Sequence, residues 1–331
     1  MPAAGHTNLA ARNPRMPSTH IERRAIEPDP LPADAIALGI GQTGVRRRAA
    51  DFLALGKPRV VVMVLLTAVV GFYLGSSGDI DYWRMAAMLV GTGLAAGGTL
   101  ALNQYIERDL DALMERTRSR PLPDGRLQPT EALVFGLTVT TVGLLYLMIE
   151  VNPLSAWVTA FTSASYLILY TPLKQRTSLC SLIGAVPGAL PPVTGWAAAR
   201  GDVGIEAWIL FGILFLWQLP HSLAIAWLYR ADYARAGMRL LPVIEPDGRS
   251  TGRQIAVSCV ALLAVGLLPA LLGLAGAIYL AVAVTLGVAL LLYGLSMART
   301  RTPQAARRLL FATLAYLPIL LVVMALDKVP V

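Results

Sequence analysis

Apolar residues run along this chain in long unbroken blocks, such as 60–74, 255–272 and 309–326, rather than in the short stripes of a soluble domain. A helix that crosses a bilayer needs about 20 mostly apolar residues. Taken with their breaks, the blocks predict nine spans, at 59–75, 85–102, 130–149, 153–170, 179–198, 207–228, 255–272, 277–295 and 309–326. The expected fold class is therefore an all-α polytopic membrane protein. Composition points the same way: 56% of the residues are hydrophobic and 15% charged, against about 45–50% and about 25% in an average soluble domain. A soluble enzyme is excluded. Cys180 and Cys259 both fall inside apolar blocks, which leaves neither a disulfide framework nor a thiolate metal site.

The formal net charge of +8 invites a nucleic-acid partner until its distribution is read. If the amino terminus is cytoplasmic, 25 of the 28 lysines and arginines fall in the inside segments, and Arg84, Arg200 and Lys328 remain outside. The positive-inside rule then predicts a cytoplasmic amino terminus and a periplasmic carboxyl terminus. The charge reports topology, and no nucleic-acid partner is expected. Residues 1–50 hold no apolar core long enough for a signal peptide, so they are expected to form a disordered cytoplasmic tail before a transmembrane domain at 51–331. The expected location is a bacterial inner membrane.

Chemistry is sought in polar groups that hydropathy does not require. At the inside end of the second span, Asn103, Glu107 and Asp111 are spaced four apart. Four helical steps turn about 400°, so each lies only about 40° from the last and all three share one face. Asp109 lies off it. An amide oxygen and two carboxylates on one face suit Mg²⁺ carried by a phosphate-bearing substrate, with a solvated acidic helix end as the plainer alternative. Arg116, Arg118 and Arg120 follow, fit to neutralise the oxygens of a departing diphosphate. In a second inside connection Tyr170 and Lys174 flank Pro172, and Lys174 is either a diphosphate contact or a topology anchor. The fifth span carries Gly184, Pro187, Gly188, Pro191 and Pro192, which permit close packing or a break beside a cavity. The sixth carries Trp217, Gln218, Pro220 and His221, and leads into Asp232 and Tyr233. A membrane-embedded imidazole is a functional candidate, with helix packing as its ordinary alternative.

These residues resemble a known family. Asn103-x-x-x-Glu107-x-x-x-Asp111, followed by Arg116-Thr117-x-x-Arg120-Pro121-Leu122, is similar to the first acidic motif of the UbiA superfamily of intramembrane prenyltransferases. The stretches Trp217-Gln218-x-Pro220-His221 and Asp232-Tyr233-x-x-Ala236-Gly237-x-x-Leu240-Leu241-Pro242 resemble its haem-farnesylating branch. Two departures stand out: Glu107 replaces the usual aspartate, and the second acidic motif is reduced to Asp232. The resemblance implies nine helices around a central cavity open to lipid. It implies a reaction joining the farnesyl group of farnesyl diphosphate to a vinyl of haem b, with water added. Catalytic roles would fall to Asn103, Glu107, Asp111, Lys174 and Asp232, the first three holding Mg²⁺. Substrate contacts would fall to Arg116, Arg120, Tyr170, Tyr233, Trp217 and His221; the solitude of His221 in its span makes it the expected haem contact, and Trp217, four residues before it, shares its helical face. The partners so implied are the lipid bilayer and haem A synthase or oxidase assembly proteins. A quinone-pathway prenyltransferase shares the first motif. A secondary transporter would instead place ionisable groups near the bilayer midplane.

Overall fold

A computed structural model describes residues 33–329, with side chains from residue 44 onward. Of the tail predicted at 1–50, the first 32 residues lie outside the described ones, and the rest belong to helix α1, Ala33–Leu55. The chain continues through α2 (Pro58–Gly75), α3 (Tyr82–Ala112), α4 (Pro129–Glu150) and α5 (Pro153–Ala164). A π-helical stretch, Ser165–Tyr170, carries α5 into the single turn α6 (Thr171–Leu173). Next come α7 (Cys180–Ala189), α8 (Pro191–Arg200), α9 (Ile205–Leu228), and the short α10 (Arg230–Arg235) and α11 (Leu241–Ile244). The last three are α12 (Arg249–Leu271), α13 (Ala277–Thr300) and α14 (Pro303–Leu326). No strand occurs among the described residues beyond an isolated bridge between Ala275 and Lys328.

The starts of these helices are written locally. Pro58, Pro129, Pro153, Pro191 and Pro303 stand in the first turn, where no amide hydrogen is needed. Asp81, Asn152 and Thr302 cap α3, α5 and α14 by accepting from Arg84, Ser155 and Ala305 N–H at 2.9, 2.8 and 3.2 Å.

Eight helical segments of the described residues are long and apolar enough to cross a membrane, with α7 and α8 counting as one. They match eight of the nine predicted spans. The remaining span, 153–170, is helical throughout but divided, because its α-helical part stops at Ala164 and the chain widens into π geometry. At 31 residues, α3 is the longest. It measures about 46 Å, roughly 16 Å more than the hydrocarbon thickness, so its last turns carry polar residues without stranding them in lipid.

Close helix crossings bring the walls of a cavity together. A Cβ on Gly71 of α2 would fall on the Pro192 carbonyl, and one on Gly195 of α8 would fall on the Ala68 carbonyl. Gly98 and Gly143 bring α3 and α4 together in the same way, since a Cβ on Gly98 would fall on Thr140 and one on Gly143 on Ala95. Small residues let backbones touch where lipid supplies no hydrophobic push. Trp83, Trp157 and Trp208 are 74%, 66% and 50% exposed in the first turns of α3, α5 and α9. All three helices begin at the end opposite Asp111, where exposed indoles suit a lipid–water interface.

The crossing makes a stability prediction. Gly195→Val should strongly destabilise the detergent-solubilised protein in thermal unfolding, because backbone occupies the new methyls' space. Gly97→Ala, where nothing lies within 4 Å of the added carbon, should instead raise stability by about 0.5–1 kcal/mol.

Candidate active site

The polar face of α3 is buried. Asn103, Glu107 and Asp111 are 1%, 5% and 1% exposed, whereas the Asp109 side chain is 84% exposed and faces away beside Arg108. Each buried member has a defined partner. Asn103 donates from Nδ2 to Thr171 Oγ1 at 3.2 Å, and that hydroxyl donates to the Tyr166 carbonyl at 2.8 Å. This chain fixes the amide orientation and leaves Asn103 Oδ1 to accept from Lys57 Nζ at 3.1 Å. Glu107 Oε1 accepts from Lys174 Nζ at 2.7 Å, and Asp111 Oδ2 accepts from Arg120 Nη1 at 2.6 Å.

The π-helical stretch has a positional consequence. Tyr166 O accepts from both the Thr171 amide and its hydroxyl, which turns Tyr166, Tyr170 and Lys174 toward α3. The two tyrosine rings lie 5.3 Å apart, and the Lys174 ammonium sits 4.5 Å from the centre of the Tyr170 ring. Gly184 makes room on α7, since a Cβ there would strike the Tyr170 ring. Arg116 lies over the rings of Tyr233 and Tyr229, at 4.6 and 5.4 Å, an arrangement that orients a guanidinium without consuming its donors.

Together these residues line one cavity of about 550 Å³. Asn103, Glu107, Asp111, Arg116, Arg120, Tyr170, Lys174 and Tyr233 all border it. From Asp111 the wall follows α3 down to Thr92, a depth of about 28 Å by helical rise. Thr99, Thr159 and Thr162 line the deep part and donate their hydroxyls to carbonyls one turn back on their own helices, at 2.7–2.8 Å. Their methyls are thereby left for an apolar ligand. The fifth predicted span does both things its composition allowed: Gly195 packs closely on α2, and Pro187, Gly188 and Pro191 border the cavity.

Four cations, Lys57, Arg116, Arg120 and Lys174, thus face two carboxylates at the cavity mouth. Burial pushes the Lys57 ammonium down to about 7, and the neighbouring charges of Arg120 and Lys174 add to that. Burial also works against the charged form of Lys174, but the Glu107 carboxylate holds its pKa above the ordinary lysine value. A site with surplus positive charge in an apolar setting is built for an anion.

The structure does not bring every predicted residue to this cavity. Trp217 and His221 turn toward α14: Trp217 Nε1 donates to Thr313 O at 2.8 Å, and His221 Nδ1 lies 2.9 Å from Thr313 Oγ1. Their rings stack with centroids 4.8 Å apart. Asp232 is buried and its carboxylate is engaged by Arg235, while the next residue, Tyr233, borders the cavity. Sequence reasoning also missed other lining residues, among them Lys57, Tyr166 and Gln218. Lys57 precedes the first span and was counted only as topology. Tyr166 repeats the four-residue spacing of Tyr170 and Lys174, a signal that would have found it. Gln218 lay inside a recognised motif, yet only the rotation of α9 shows that it faces inward.

Among the described residues no group of three or more His, Cys, Asp and Glu side chains gathers to hold a metal alone. The donors present are hard oxygens of Asn103, Glu107 and Asp111. Such a set fits Mg²⁺ that completes its shell with substrate phosphate oxygens and water.

The chain resembles known proteins over most of its length. Residues 64–317 match the UbiA prenyltransferase family. The chain is 47% identical over 287 residues to a protoheme IX farnesyltransferase from Solibacter usitatus, covering 84% of this chain and 98% of the relative. It is 43% identical to the protein of the same name from Koribacter versatilis, covering 88% and 97%. Among solved structures, a digeranylgeranylglyceryl phosphate synthase superposes with a TM-score of 0.73 at 15% identity, over 85% of this chain and 98% of that one. A UbiA homolog from Archaeoglobus fulgidus, bound to GPP and Mg²⁺, superposes with a TM-score of 0.58 at 16% identity, over 83% and 99%.

The buried ion pair yields a test on the ligand-free protein. Lys174→Met should destabilise by about 3–5 kcal/mol because it strands the Glu107 carboxylate. Adding Glu107→Gln should recover most of that loss in denaturant unfolding. A double variant as unstable as Lys174→Met would show that the pair is not coupled.

Proposed function

This chain belongs to the UbiA prenyltransferase family, and from that premise we propose that it transfers the farnesyl group of farnesyl diphosphate to a vinyl of haem b. Water adds to the product, giving haem O and diphosphate. The observation that carries the reading is 47% identity to a protoheme IX farnesyltransferase across nearly that protein's whole length. The cavity supports it, with a cationic mouth for a diphosphate and a methyl-lined slot for a fifteen-carbon chain. Each buried methylene contributes about 0.8 kcal/mol toward holding that chain.

The chain's own residues act chiefly on charge. Lys57, Lys174, Arg116 and Arg120 hold the diphosphate and stabilise the charge that develops as the allylic C–O bond breaks. Asn103, Glu107 and Asp111 would hold Mg²⁺, which when bound neutralises further negative charge on the leaving group. Tyr166 and Tyr170 border the cavity beside these cations, where aromatic rings attract the allylic cation as it forms. The vinyl carbon attacks that cation. Water then adds to the carbon left positive beside the porphyrin and loses a proton to solvent.

The haem side rests on His221. Thr313 Oγ1 donates to the Leu310 carbonyl at 2.6 Å, so at the 2.9 Å contact with His221 it accepts, and Nδ1 carries the proton. The other nitrogen, Nε2, then presents a lone pair, the form in which imidazole ligates haem iron. Trp217 fixes the ring by stacking. Ser222 and Gln218, one and three residues away, border the cavity on the adjacent face of α9. In this reading the protein lies in a cell inner membrane, and the bias of basic residues supports a cytoplasmic side for the carboxylate end.

Purified protein incubated with haem b, farnesyl diphosphate and Mg²⁺ should yield haem O by mass analysis of the extracted haem. Replacing haem b with 4-hydroxybenzoate should yield no prenylated product, and the opposite pattern would make this a quinone-pathway enzyme. Asp111→Ala should abolish turnover while Asp109→Ala is mild, and equal losses would break the argument from the helical face.

The haem assignment has its own readout. Haem b bound to the protein should show a Soret band that shifts in His221→Ala, with weaker haem binding and near-normal binding of a farnesyl diphosphate analogue. An unchanged spectrum and affinity would return His221 to helix packing.

A further inference from the structure

Lys57 reaches the cavity through a backbone conformation that lysine rarely adopts. Its φ is 48° and its ψ 64°, in the left-handed region. The following residue is Pro58, whose ring further restricts the residue before it. Among the described non-glycine residues only Lys57 and Arg301 have positive φ. A glycine stands next door at position 56 without positive φ, so the turn strains the side chain it keeps and spends the glycine where none is required. An outlier of this kind persists only when its surroundings over-determine it.

The surroundings are specific. Gln104 Nε2 donates to the carbonyls of Ala54 and Leu55, at 3.2 and 2.8 Å, and the Lys57 amide donates to the same Ala54 carbonyl at 3.2 Å. Leu55 is fully buried in a cluster with Ala101, Leu122, Leu127 and Ala132, and Asp51 is engaged by Arg126. The end of α1 is therefore tied to α3 just before the strained residue. Gln104 is 1% exposed, does not border the cavity, and leaves its Oε1 without a partner. Helix packing alone is served better by an apolar side chain than by a half-satisfied buried amide. On α3 the two successive residues divide the work: Asn103 meets the ammonium of Lys57, and Gln104 holds the backbone that delivers it.

We propose that Gln104 is a positioning residue, which holds the end of α1 so that Lys57 stays in its left-handed conformation with the ammonium aimed at the bound diphosphate. The proposal rests on the prenyl-diphosphate reading above. It takes Gln104 to act through Lys57, without contact to either substrate.

The test is a double-mutant cycle on the full-length purified protein, with KM measured separately for farnesyl diphosphate and haem b. Lys57→Met and Gln104→Met should each raise the KM for farnesyl diphosphate about tenfold, the scale of one charge-assisted contact, and leave the haem KM unchanged. The double variant should be no worse than Lys57→Met alone. Both single variants should also lose, to the same degree, the thermal protection given by inorganic diphosphate. Multiplying losses in the double variant, a parallel rise in the haem KM, or an unaltered farnesyl diphosphate KM in Gln104→Met would each overturn the assignment. Should Gln104→Met not fold, Asp51→Asn frees the same segment from Arg126 and must show the same coupling to Lys57. Because inorganic diphosphate binding is read without an acceptor, absence of haem farnesylation in the unmodified protein is distinguishable from failure of this proposal.

Discussion

Ionised side chains gathered at the mouth of an otherwise apolar bundle govern much of this structure. Taking a carboxylate or an ammonium out of water is costly unless a partner comes with it. Glu107 and Asp111 are buried, and Lys174 and Arg120 meet them at 2.7 and 2.6 Å. Among the described residues Lys57 and Arg116 have no carboxylate of their own; an amide oxygen takes one and two phenol rings take the other. The resting site is held together while remaining short of negative charge. In the proposed reaction an incoming diphosphate supplies it, which ties substrate recognition to the same electrostatics that shape the empty cavity.

Several features of the fold keep those charges in reach of one another. The length of α3 carries its polar face beyond the apolar spans. The π-helical stretch at Ser165–Tyr170 rotates two rings and an ammonium onto that face, and such insertions are frequent at functional sites. Gly71 and Gly195 let α2 approach α8 closely enough to close one side of the cavity. The helices that line the slot are α2, α3, α5, α7, α8 and α9. Helices α4, α12, α13 and α14 pack outside them.

In the proposed reaction the two reactants are served by different faces of one helix. Gln218 and Ser222 of α9 border the prenyl cavity, while Trp217 and His221 turn to Thr313 on α14. At about 100° per residue, adjacent positions on a helix point in distinct directions. A single turn of α9 is thereby divided between the slot and the proposed haem contact.

Much of this was legible in the chain itself. Block length and the bias of basic residues determined a polytopic helical protein, because hydrocarbon thickness and backbone hydrogen bonding leave few other choices. The four-residue spacing determined that Asn103, Glu107 and Asp111 share a face and that Asp109 does not, since helical geometry is local. The order in which helices meet is not local. That Lys57, 46 residues from Asn103, supplies its cation follows only from the packing of α2 and of the segment around Leu55 on α3. That 153–170 is divided by π geometry, and that His221 turns from the cavity toward Thr313, likewise follow from neighbours remote in sequence. Periodicity states which residues lie on the same side of one helix. Only the tertiary structure decides what that side faces, because helix rotation is set by the fit of small residues and the pairing of buried charges across helices.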